Sequence, residues 1–448
     1  MHNAPQAPRS IEDTGLNPLF LEQLIVKGMF MENLDRASQM SDQMKLPPKI
    51  IDEVLESLKA RKLVETLGLA GGGNALGGMR YGLTQAGKAM AGEALEQSQY
   101  FGPAPVPLDA FRERVLSQQI GSEHISRADI EASFADIVVP EDFVKRLGPA
   151  VNSGRSILIY GPAGNGKTTV AEKVANIYEA TIDIPYCIEV DGAVIKLFDP
   201  SVHRPVRASQ DQAEPERKSA LMRNAVDERW VACQRPVVVT GGELNLEMLD
   251  LKFNELAKFY EAPLHVKALN GTFIIDDFGR QLVSPEDLLN RWIVPLQSRV
   301  DYLTLHSGKS FSIPFDELVI FSTNMAPDDL MDPAFLRRIP YKLETKEPSV
   351  DAFREIFVAV AGKAGLQLTD DIFDFTLHEL RETAGKPLAC YQPKFIVDQV
   401  VNACKYRGQP AQFTKEFVVD ALDNLYVRDS SYVGQVGMGQ PEDVASAA

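Results

Sequence analysis

A glycine-rich stretch that ends in a lysine and a threonine carries the clearest chemistry in this sequence. Residues 161–168 read GPAGNGKT and fit the spacing G-x-x-x-x-G-K-[ST]. An apolar run precedes the stretch and a helical pattern starts at Lys167, so the glycines can turn backbone N–H groups inward around a phosphate. A chance match in a glycine-rich turn is the competing interpretation, and the strand before and the helix after disfavour it.

The glycine-rich stretch predicts a site for ATP and Mg²⁺. We expect Lys167 to contact the β- and γ-phosphates and the Thr168 hydroxyl to bind the metal ion. The predicted nucleotide-binding residues of this segment are Gly161, Pro162, Ala163, Gly164, Asn165, Gly166, Lys167, Thr168 and Thr169.

Two aspartates follow an apolar run further along the chain. Residues 271–279 read GTFIIDDFG, so a buried strand would end at Asp276 and Asp277. Side chains at the carboxyl end of a parallel strand face the ligand crevice. We expect Asp276 to hold Mg²⁺ through water and Asp277 to polarise the attacking water. A strand-end turn with two solvated carboxylates is the alternative.

One amide and two arginines complete the predicted chemistry. The strand ELVIFSTN ends at Asn324, whose amide can orient the attacking water, although an Asx turn before Pro327 would also explain it. Arg337 and Arg338 precede the next strand. They lie too far round the predicted sheet to reach their own γ-phosphate, but one of them can neutralise charge on the phosphoryl group of a neighbouring copy. The alternative is an arginine that stabilises a helix end.

The elements that position these residues can be read from periodicity. The region 127–346 alternates strands and helices, which predicts an α/β fold with a parallel sheet covered on both faces. Residues 15–98 read as three helices followed by two strands, LVETLG and MRYGLTQAG, joined by a glycine-rich turn at 71–78, which predicts a winged-helix domain. The predicted divisions are a flexible arm 1–14, the winged helix 15–98, a linker 99–126, the ATPase core 127–346, a helical lid 347–428 and a disordered tail 429–448. The lid helices are expected near 350–364, 370–383, 393–406 and 415–426.

Bulk composition narrows the class of protein. A chain of 448 residues is long enough for two to four domains. The net charge of −16 excludes a chain that binds nucleic acid as a polycation throughout its length. The four cysteines form no CxxC pair, so buried free thiols in the cytoplasm are expected rather than zinc or disulfides. We find no run of about 18 apolar residues, so no membrane span is predicted.

In this order, the motifs resemble those of the AAA+ ATPase family over roughly residues 127–428. In that family's terms they are Walker A at 161–168, Walker B at 271–277, sensor 1 at Asn324 and an arginine finger near 337–338. The resemblance implies a P-loop αβα sandwich and a ring of identical subunits, commonly a hexamer, with ATP bound between them. It also implies an adenine pocket lined at 133–140, by Ile137 and Val138. Lys394 would be the sensor 2 residue, with an ordinary solvated lysine as the alternative.

Two departures from the family pattern stand out. Asp277 occupies a position where many members have glutamate, so the water geometry must differ. In addition, 109 positions separate Lys167 from Asp276, which is long for a compact AAA+ core. The extra residues include an apparent hairpin at 184–200, a polar stretch at 201–229 and a segment at 237–253.

A second hairpin is predicted between Walker B and sensor 1, turning at Ser307–Gly308. It resembles the pre-sensor 1 β-hairpin branch, which includes MoxR-type chaperones and enhancer-binding activators, although the activators' sigma-contacting motif is absent.

The expected function is an ATPase that hydrolyses ATP to ADP and phosphate and remodels a protein client. The client would be gripped through loops near 241–253 and 304–312, where Leu246 and Phe253 lie. A DNA-binding regulator or translocase is the first alternative. Residues 1–100 have 10 Lys and Arg against 12 Asp and Glu, a net charge of −2, which disfavours it. The second alternative is an assembly switch that binds ATP and hydrolyses little.

Overall fold

The computed structural model describes residues 4–69, 78–206 and 226–426. Contacts divide these residues into two compact units. The first unit takes in the described residues of Met1–Ser133, Glu141–Tyr160 and Thr168–Glu344. The second takes in those of Phe134–Pro140, Gly161–Lys167 and Thr345–Ala448.

The first unit contains all the strands found among the described residues. They are β1 (Val64–Leu69), β2 (Met79–Leu83), β3 (Val106–Pro107), β4 (Ile157–Tyr160), β5 (Ile182–Pro185), β6 (Cys187–Val190), β7 (Ala193–Lys196), β8 (Trp230–Cys233), β9 (Val237–Thr240), β10 (Lys252–Asn254), β11 (Phe259–Glu261), β12 (Thr272–Ile275), β13 (Val300–Thr304), β14 (Ser310–Pro314), β15 (Leu318–Thr323) and β16 (Tyr341–Glu344). Its helices are α1 (Pro18–Met31), α2 (Ala37–Met44), α3 (Pro48–Ala60), α4 (Gln85–Gln97), α5 (Leu108–Ser117), α6 (Arg127–Ser133), α7 (Glu141–Ser153), α8 (Lys167–Ala175), α9 (Leu264–Lys267), α10 (Pro285–Arg291), α11 (Ile293–Ser298), α12 (Pro327–Leu330) and α13 (Pro333–Leu336).

A five-stranded parallel sheet forms the centre of the first unit. Its order is β16-β4-β15-β12-β9, and every neighbouring pair is parallel. Strands β4, β12 and β15 are almost entirely buried, as expected for a sheet that helices cover on both faces. This order, with the glycine-rich stretch directly after β4, is that of a P-loop AAA+ αβα sandwich, and the predicted fold class is confirmed.

A second, mixed sheet accounts for the long distance between the two phosphate-site motifs. Its order is β10-β11-β7-β6-β3. Strands β6 and β7 form a hairpin that turns at Asp191 and Gly192, both with positive φ (55° and 81°), which a two-residue hairpin loop requires. The hairpin lies within the predicted range, but the sheet that it joins was not foreseen.

The hairpin between the aspartates and Asn324 is present as predicted. Strands β13 and β14 pair antiparallel, and the Gly308 N–H donates to the Leu305 carbonyl (2.8 Å) in the turn. The hairpin packs on the second sheet, because the His306 ring stacks on Phe253 with centroids 5.3 Å apart. Its position before β15 agrees with the pre-sensor hairpin, while the branch within the family stays a prediction.

The N-terminal elements follow the order expected of a winged helix. Helices α1, α2 and α3 precede the antiparallel pair β1–β2, and α4 follows. The Asn17 side chain caps α1 by accepting the Leu19 N–H (2.9 Å), and proline opens both α1 and α3. Most of the predicted wing, at 70–77, lies outside the described residues. The winged-helix assignment therefore stays a prediction.

Two segments expected to be loose make specific contacts instead. In the predicted arm, the Pro5 carbonyl accepts the Asp227 N–H (2.9 Å), and the Thr14 carbonyl accepts a hydrogen bond from the buried Arg229 guanidinium (3.0 Å). In the predicted linker, Val106 pairs with Ile188 as the edge of the second sheet. These segments differ from the prediction because their own backbone groups are used in hydrogen bonds to other parts of the first unit.

The second unit is helical. Its helices are α14 (Val350–Lys363), α15 (Asp370–His378), continued by a π-helical turn (Glu379–Thr383), α16 (Gln392–Tyr406) and α17 (Lys415–Leu425), close to the four predicted ranges. Ser349, Thr369 and Thr414 cap three of them through side-chain oxygens. The predicted tail at 429–448 lies outside the described residues. Within the described ranges, no helix has the length and apolarity needed to span a bilayer.

Candidate nucleotide site

The candidate chemistry of the first unit lies at the carboxyl edge of the parallel sheet. Strand β15 lies between β4, which leads into the glycine-rich stretch, and β12, which leads to the two aspartates. In register, Ile275 faces Phe321, and Tyr160 faces Thr323. Because parallel strands end at the same edge, Asn324 follows the strand between the two motifs, as predicted.

Thr168 and Asp276 meet directly although they are far apart in the chain. The Thr168 hydroxyl donates to the Asp276 carboxylate, with 2.8 Å between Oγ1 and Oδ2. Thr168 lies in the first turn of α8 and Asp276 follows β12. Hydroxyl and carboxylate oxygens are the ligands that Mg²⁺ prefers. The two predicted metal ligands are therefore brought together.

These residues fit Mg²⁺ better than a metal held by the protein alone. Among the described residues, no group of three or more His, Cys, Asp or Glu side chains could hold a metal ion. Mg²⁺ commonly keeps several waters and takes one or two protein ligands together with phosphate oxygens. A site with two protein ligands, Thr168 and Asp276, matches this coordination preference.

The turn after Asp276 presents Asp277 to solvent. Asp277 has a positive φ of 49° and an exposed side chain, a conformation that aspartate tolerates better than most residues. The next residue, Phe278, is buried and donates its N–H to the Ser322 carbonyl (2.7 Å). Gln281 ties the turn together: Nε2 donates to the carbonyls of Asp276 (2.8 Å) and Asp277 (3.2 Å). Sequence reasoning missed Gln281, because no motif marks it.

The glycine-rich loop belongs to the second unit. Gly161, Gly164 and Gly166 have positive φ values of 142°, 79° and 77°, which leave their N–H groups free to turn inward. The Lys167 ammonium is buried and donates to the carbonyls of Gly161 and Pro162 (3.0 Å each). The lysine charge is thus held within the loop.

Residues 389–392, which lead into α16, contact this loop. The Tyr391 N–H donates to the Gly164 carbonyl (3.0 Å), and the Cys390 N–H donates to the Asn165 side chain (3.1 Å). A side chain at position 164 would clash with the Tyr391 ring. Gln392 is buried and holds the segment, since its Oε1 accepts the Ala389 N–H (2.8 Å). Sequence patterns predicted a helix start near here but not these contacts with the loop.

Tyr391 lies beside a second tyrosine at the end of α17. Burial, together with a hydrogen bond to Tyr426, raises the pKa of the Tyr391 phenol to about 12. Gln392 also donates to the Tyr426 hydroxyl (2.7 Å). The phenol therefore stays protonated at physiological pH, and the segment is cross-linked to the helical unit.

The remaining predicted nucleotide contacts have different settings. Ile137 and Val138 are half-buried and lie in the same compact unit as the glycine-rich loop and the helices. Lys394 forms an ion pair with Asp398 one turn away (2.6 Å), and its side chain is 70% exposed. Such a surface pair contributes little to stability. The roles of all three residues stay predictions.

The two candidate arginines differ in the hydrogen bonds that their guanidinium groups make. Arg338 donates to the Ala334 carbonyl (2.6 Å) and to Gln297 (3.3 Å), and lies over the Phe335 ring. Arg337 is exposed at the end of α13, and its guanidinium makes no hydrogen bond to the described residues. Both line an open cavity of about 300 Å³ together with Arg155, Leu296, Gln297 and Pro340.

The free thiols agree in part with expectation. Cys187, Cys233 and Cys404 are buried, and burial raises the pKa of the Cys187 and Cys233 thiols to about 12. Cys390 was expected to be buried as well, but it is half-buried because it lies in the segment beside the glycine-rich loop.

Comparison with known families matches only the helical part of the chain. Residues 349–424 match a family described as a domain of unknown function, DUF8689. This range covers the four helices of the second unit, and it carries no activity with it.

Several solved structures are loosely similar to this chain. The RuvB Holliday junction branch migration motor of Thermotoga maritima is 15% identical, with a TM-score of 0.36, over 65% of this chain and 71% of that one. Domain III of the Thermotoga maritima replication initiation protein DnaA is 11% identical, with a TM-score of 0.36, over 66% and 96%. The magnesium chelatase subunits BchI and BchD are 18% identical, with a TM-score of 0.35, over 65% and 95%. Similarities this loose carry no argument about function, and the fold assignment rests on strand order and connectivity.

Proposed function

We propose that this chain is an AAA+ ATPase that binds ATP with Mg²⁺ and hydrolyses it between identical subunits. One observation carries the proposal: the Thr168 hydroxyl and the Asp276 carboxylate, from separate motifs, meet at 2.8 Å. The glycine-rich loop precedes Thr168, and its lysine charge is already held among the loop carbonyls. Bound Mg²⁺ would neutralise charge on the phosphates that the loop surrounds.

Each remaining residue of the site has a distinct role in this proposal. Lys167 binds the β- and γ-phosphates. Asp277, exposed at the end of its turn, accepts a proton from the attacking water. Asn324 orients that water from the neighbouring strand. Aspartate is shorter than the usual glutamate, so we expect slow turnover rather than none.

Arg337 is the better candidate for the residue lent to a neighbouring subunit. Arg338 already donates to a carbonyl and a side-chain amide of its own chain. Arg337 is exposed beside it and free of such bonds within the described residues. An exposed, solvated guanidinium can reach a phosphoryl group on another subunit, where it would stabilise the transition state. We infer a ring, with a hexamer as the expected form.

The charges on α3 favour a protein client over DNA. Lys59 pairs with Glu56 (2.8 Å) and Lys49 with Glu53 (3.6 Å) on the surface of that helix. DNA affinity comes mostly from free cations that neutralise phosphates. Because these lysines already face carboxylates, the helix offers little net charge to a duplex.

The client surface in this proposal lies near the carboxyl edge of the parallel sheet. Leu246 is 38% exposed and Leu282 is 78% exposed, in the segments that follow β9 and β12. The Leu282 N–H donates to the Gly242 carbonyl (3.0 Å), so the two segments are adjacent. Phe253, the other residue predicted to grip a client, packs between His306 and Tyr260. We therefore assign client contact to Leu246 and Leu282.

The decisive experiment measures binding and turnover separately. Affinity for Mg·ATP and phosphate release are compared for the wild type, Lys167→Ala, Asp277→Asn and Lys145→Ala, an exposed lysine on α7 that serves as control. We expect Lys167→Ala to bind ATP roughly ten- to a hundredfold more weakly, and Asp277→Asn to bind normally but release little phosphate. Equal phosphate release by Asp277→Asn and wild type would favour the assembly switch. A wild type with no affinity for ATP would overturn the proposal.

A further inference from the structure

Asn165 has an unusual setting within the glycine-rich loop. Its side chain is only 6% exposed, and its backbone lies between Gly164 and Gly166, both with positive φ. The side-chain oxygen accepts the Cys390 N–H (3.1 Å). The side-chain nitrogen is buried and has no hydrogen-bond partner among the described residues. A buried donor without an acceptor destabilises the folded chain, so a ligand that supplies an acceptor would relieve this cost.

The orientation of the Asn165 amide is fixed by its neighbour. The two ends of an asparagine amide look alike, and their assignment depends on the hydrogen bonds they make. Here the Cys390 N–H is a donor, so only the oxygen of Asn165 can face it. Turning the amide round would place two donors against each other. The nitrogen must therefore point away from Cys390.

The surroundings select an anionic oxygen as the missing acceptor. Lys167, two residues along, is buried with its ammonium donating to loop carbonyls. The flanking glycines leave backbone N–H groups available in the same loop. A place rich in donors and positive charge attracts phosphate oxygens and repels other donors.

We propose that Asn165 is a two-sided bridge between the nucleotide and segment 389–392. Its nitrogen donates to a phosphate oxygen of bound nucleoside triphosphate, while its oxygen holds the Cys390 N–H. This inference rests on the proposed function, because it needs a nucleotide in the loop. Asn165 is a positioning residue for segment 389–392 as well as a ligand-binding residue.

The bridge couples nucleotide binding to the order of segment 389–392. The segment is already attached at three points: to the Asn165 side chain, to the Gly164 carbonyl and, through Gln392, to the Tyr426 hydroxyl. Fixing the Asn165 amide from the phosphate side fixes its bond to Cys390 as well. By linkage, the factor by which bound nucleotide favours the ordered segment equals the factor by which the ordered segment favours nucleotide binding.

Cys390 provides a native reporter for this coupling. It is half-buried, whereas Cys187, Cys233 and Cys404 are buried. Its alkylation rate is measured in the full chain with and without a non-hydrolysable ATP analogue and Mg²⁺, and the Cys390→Ser variant identifies the signal. Affinity for the same analogue is measured alongside, so neither readout depends on hydrolysis. The variants are Asn165→Ala, which removes both hydrogen bonds, and Asn165→Asp, which keeps the acceptor and replaces the donor with an anion.

In wild type we expect the analogue to slow Cys390 alkylation several-fold. Asn165→Ala should bind the analogue roughly tenfold more weakly, and its Cys390 should react fast whether or not the analogue is at saturation. Asn165→Asp should bind at least as weakly, because its carboxylate faces phosphate. Without nucleotide its Cys390 should react at the wild-type rate, because the acceptor for the Cys390 N–H is kept.

Three results overturn the inference. The first is affinity within twofold of wild type in both variants. The second is protection of Cys390 in Asn165→Ala at saturating analogue equal to that in wild type. If either occurs while Lys167→Ala still loses affinity, the proposed function stands and the bridge alone fails. The third is a wild type that does not bind the analogue, which removes both.

Discussion

Polar side chains behave differently in two regions of the first unit. The two edges of the parallel sheet present polar side chains to solvent: Asp277 is exposed and Asn324 half-buried at the carboxyl edge, and Arg337 is exposed beside Arg155 at the amino edge, where β4 and β16 begin. Beside the second sheet, the Arg229 guanidinium is buried and donates to Asp227 and to the carbonyls of Thr14 and Pro105. Asp277 and Arg337 can therefore contact a ligand, whereas the Arg229 charge is committed to partners in its own chain.

The contrast separates residues that hold the fold from residues that can react. A buried charge whose hydrogen bonds are all made cannot change partners without a large energetic cost. An exposed charge on a fixed turn can accept a proton or contact a phosphate at little structural cost. We therefore expect substitutions of exposed residues such as Asp277 and Arg337 to change activity at constant stability. Substitutions of buried, hydrogen-bonded charges should lower stability and leave activity unchanged.

The largest effect should come from Arg337→Ala. If Arg337 acts on a neighbouring subunit, its loss should lower the rate of ATP hydrolysis by about a thousandfold, with unfolding unchanged because the side chain is exposed. Arg338→Ala is the matched control: it should lower stability more, because Arg338 contacts Ala334, Gln297 and Phe335. Phosphate release and urea denaturation measure the two effects.

Mixing variants tests whether the arginine acts across subunits. Arg337→Ala and Lys167→Ala are each expected to be inactive alone. Mixed in equal amounts, they should recover part of the activity, since some interfaces combine an intact loop with an intact arginine. If the mixture is as inactive as either variant, the arginine does not act in trans.

The sequence predicted the sheet edge well and the second sheet poorly, for a physical reason. Loop 161–168 is a local signal, and parallel strands bring Thr168 and Asp276 together wherever the intervening chain goes. The second sheet is built from strands of two to four residues, such as β3 paired to β6 through Val106 and Ile188. Strands this short show no periodicity, and their pairings join distant segments.

The same reasoning explains why the segment predicted as a linker, 99–126, pairs with the second sheet instead. Prolines at 101–107 predict a stiff linker when the chain is read locally. The Tyr100 hydroxyl, however, donates to the Pro103 carbonyl (2.6 Å) and lies 3.0 Å from the Cys187 sulfur. Such contacts depend on where the β6–β7 hairpin lies in space, which the local pattern does not contain.

The next largest effect is expected at a buried, hydrogen-bonded charge rather than at an exposed one. Asp301 opens the hairpin β13–β14 and accepts hydrogen bonds from the buried His265 (2.8 Å) and from Arg291 (2.6 Å). Asp301→Asn should lower the free energy of unfolding by about 3–5 kcal/mol, because it leaves buried charge without its partner. ATP affinity should not change. Urea denaturation followed by tryptophan fluorescence measures the loss, with the exposed Asp328→Asn as control.

The pH dependence of this effect has a definite sign. Burial opposes ionisation of Asp301, but the hydrogen bonds from His265 and Arg291 outweigh it and lower the pKa to about 2. A carboxyl whose pKa is lower in the folded state stabilises above its unfolded pKa of about 3.9 and loses that contribution as pH falls towards 2. The stability difference between wild type and Asp301→Asn should therefore shrink between pH 4 and 2. A constant difference would show that shape rather than charge is responsible.

The smallest effect is expected at Lys27, a buried lysine with no carboxylate partner among the described residues. Lys27 of α1 is buried, and its ammonium donates only to the Ser98 carbonyl (3.2 Å) among the described residues. Burial lowers the pKa of this lysine to about 8. Since the charged form is disfavoured in the folded state, Lys27→Met should raise the free energy of unfolding at pH 7 by about 1–2 kcal/mol.

The gain from Lys27→Met should depend on pH in one direction. Below pH 8 the folded protein carries the full penalty of the buried charge. Between pH 8 and about 10.5 the unfolded chain binds the proton more tightly than the folded one, so wild type recovers stability as pH rises. Urea denaturation at pH 7 and 9.5 should show the gain shrinking, while the exposed Lys88→Met shows no gain at either pH. An equal gain at both pH values would mean that it comes from better packing of the methionine. Burial of the Lys27 ammonium would then cost no free energy of unfolding.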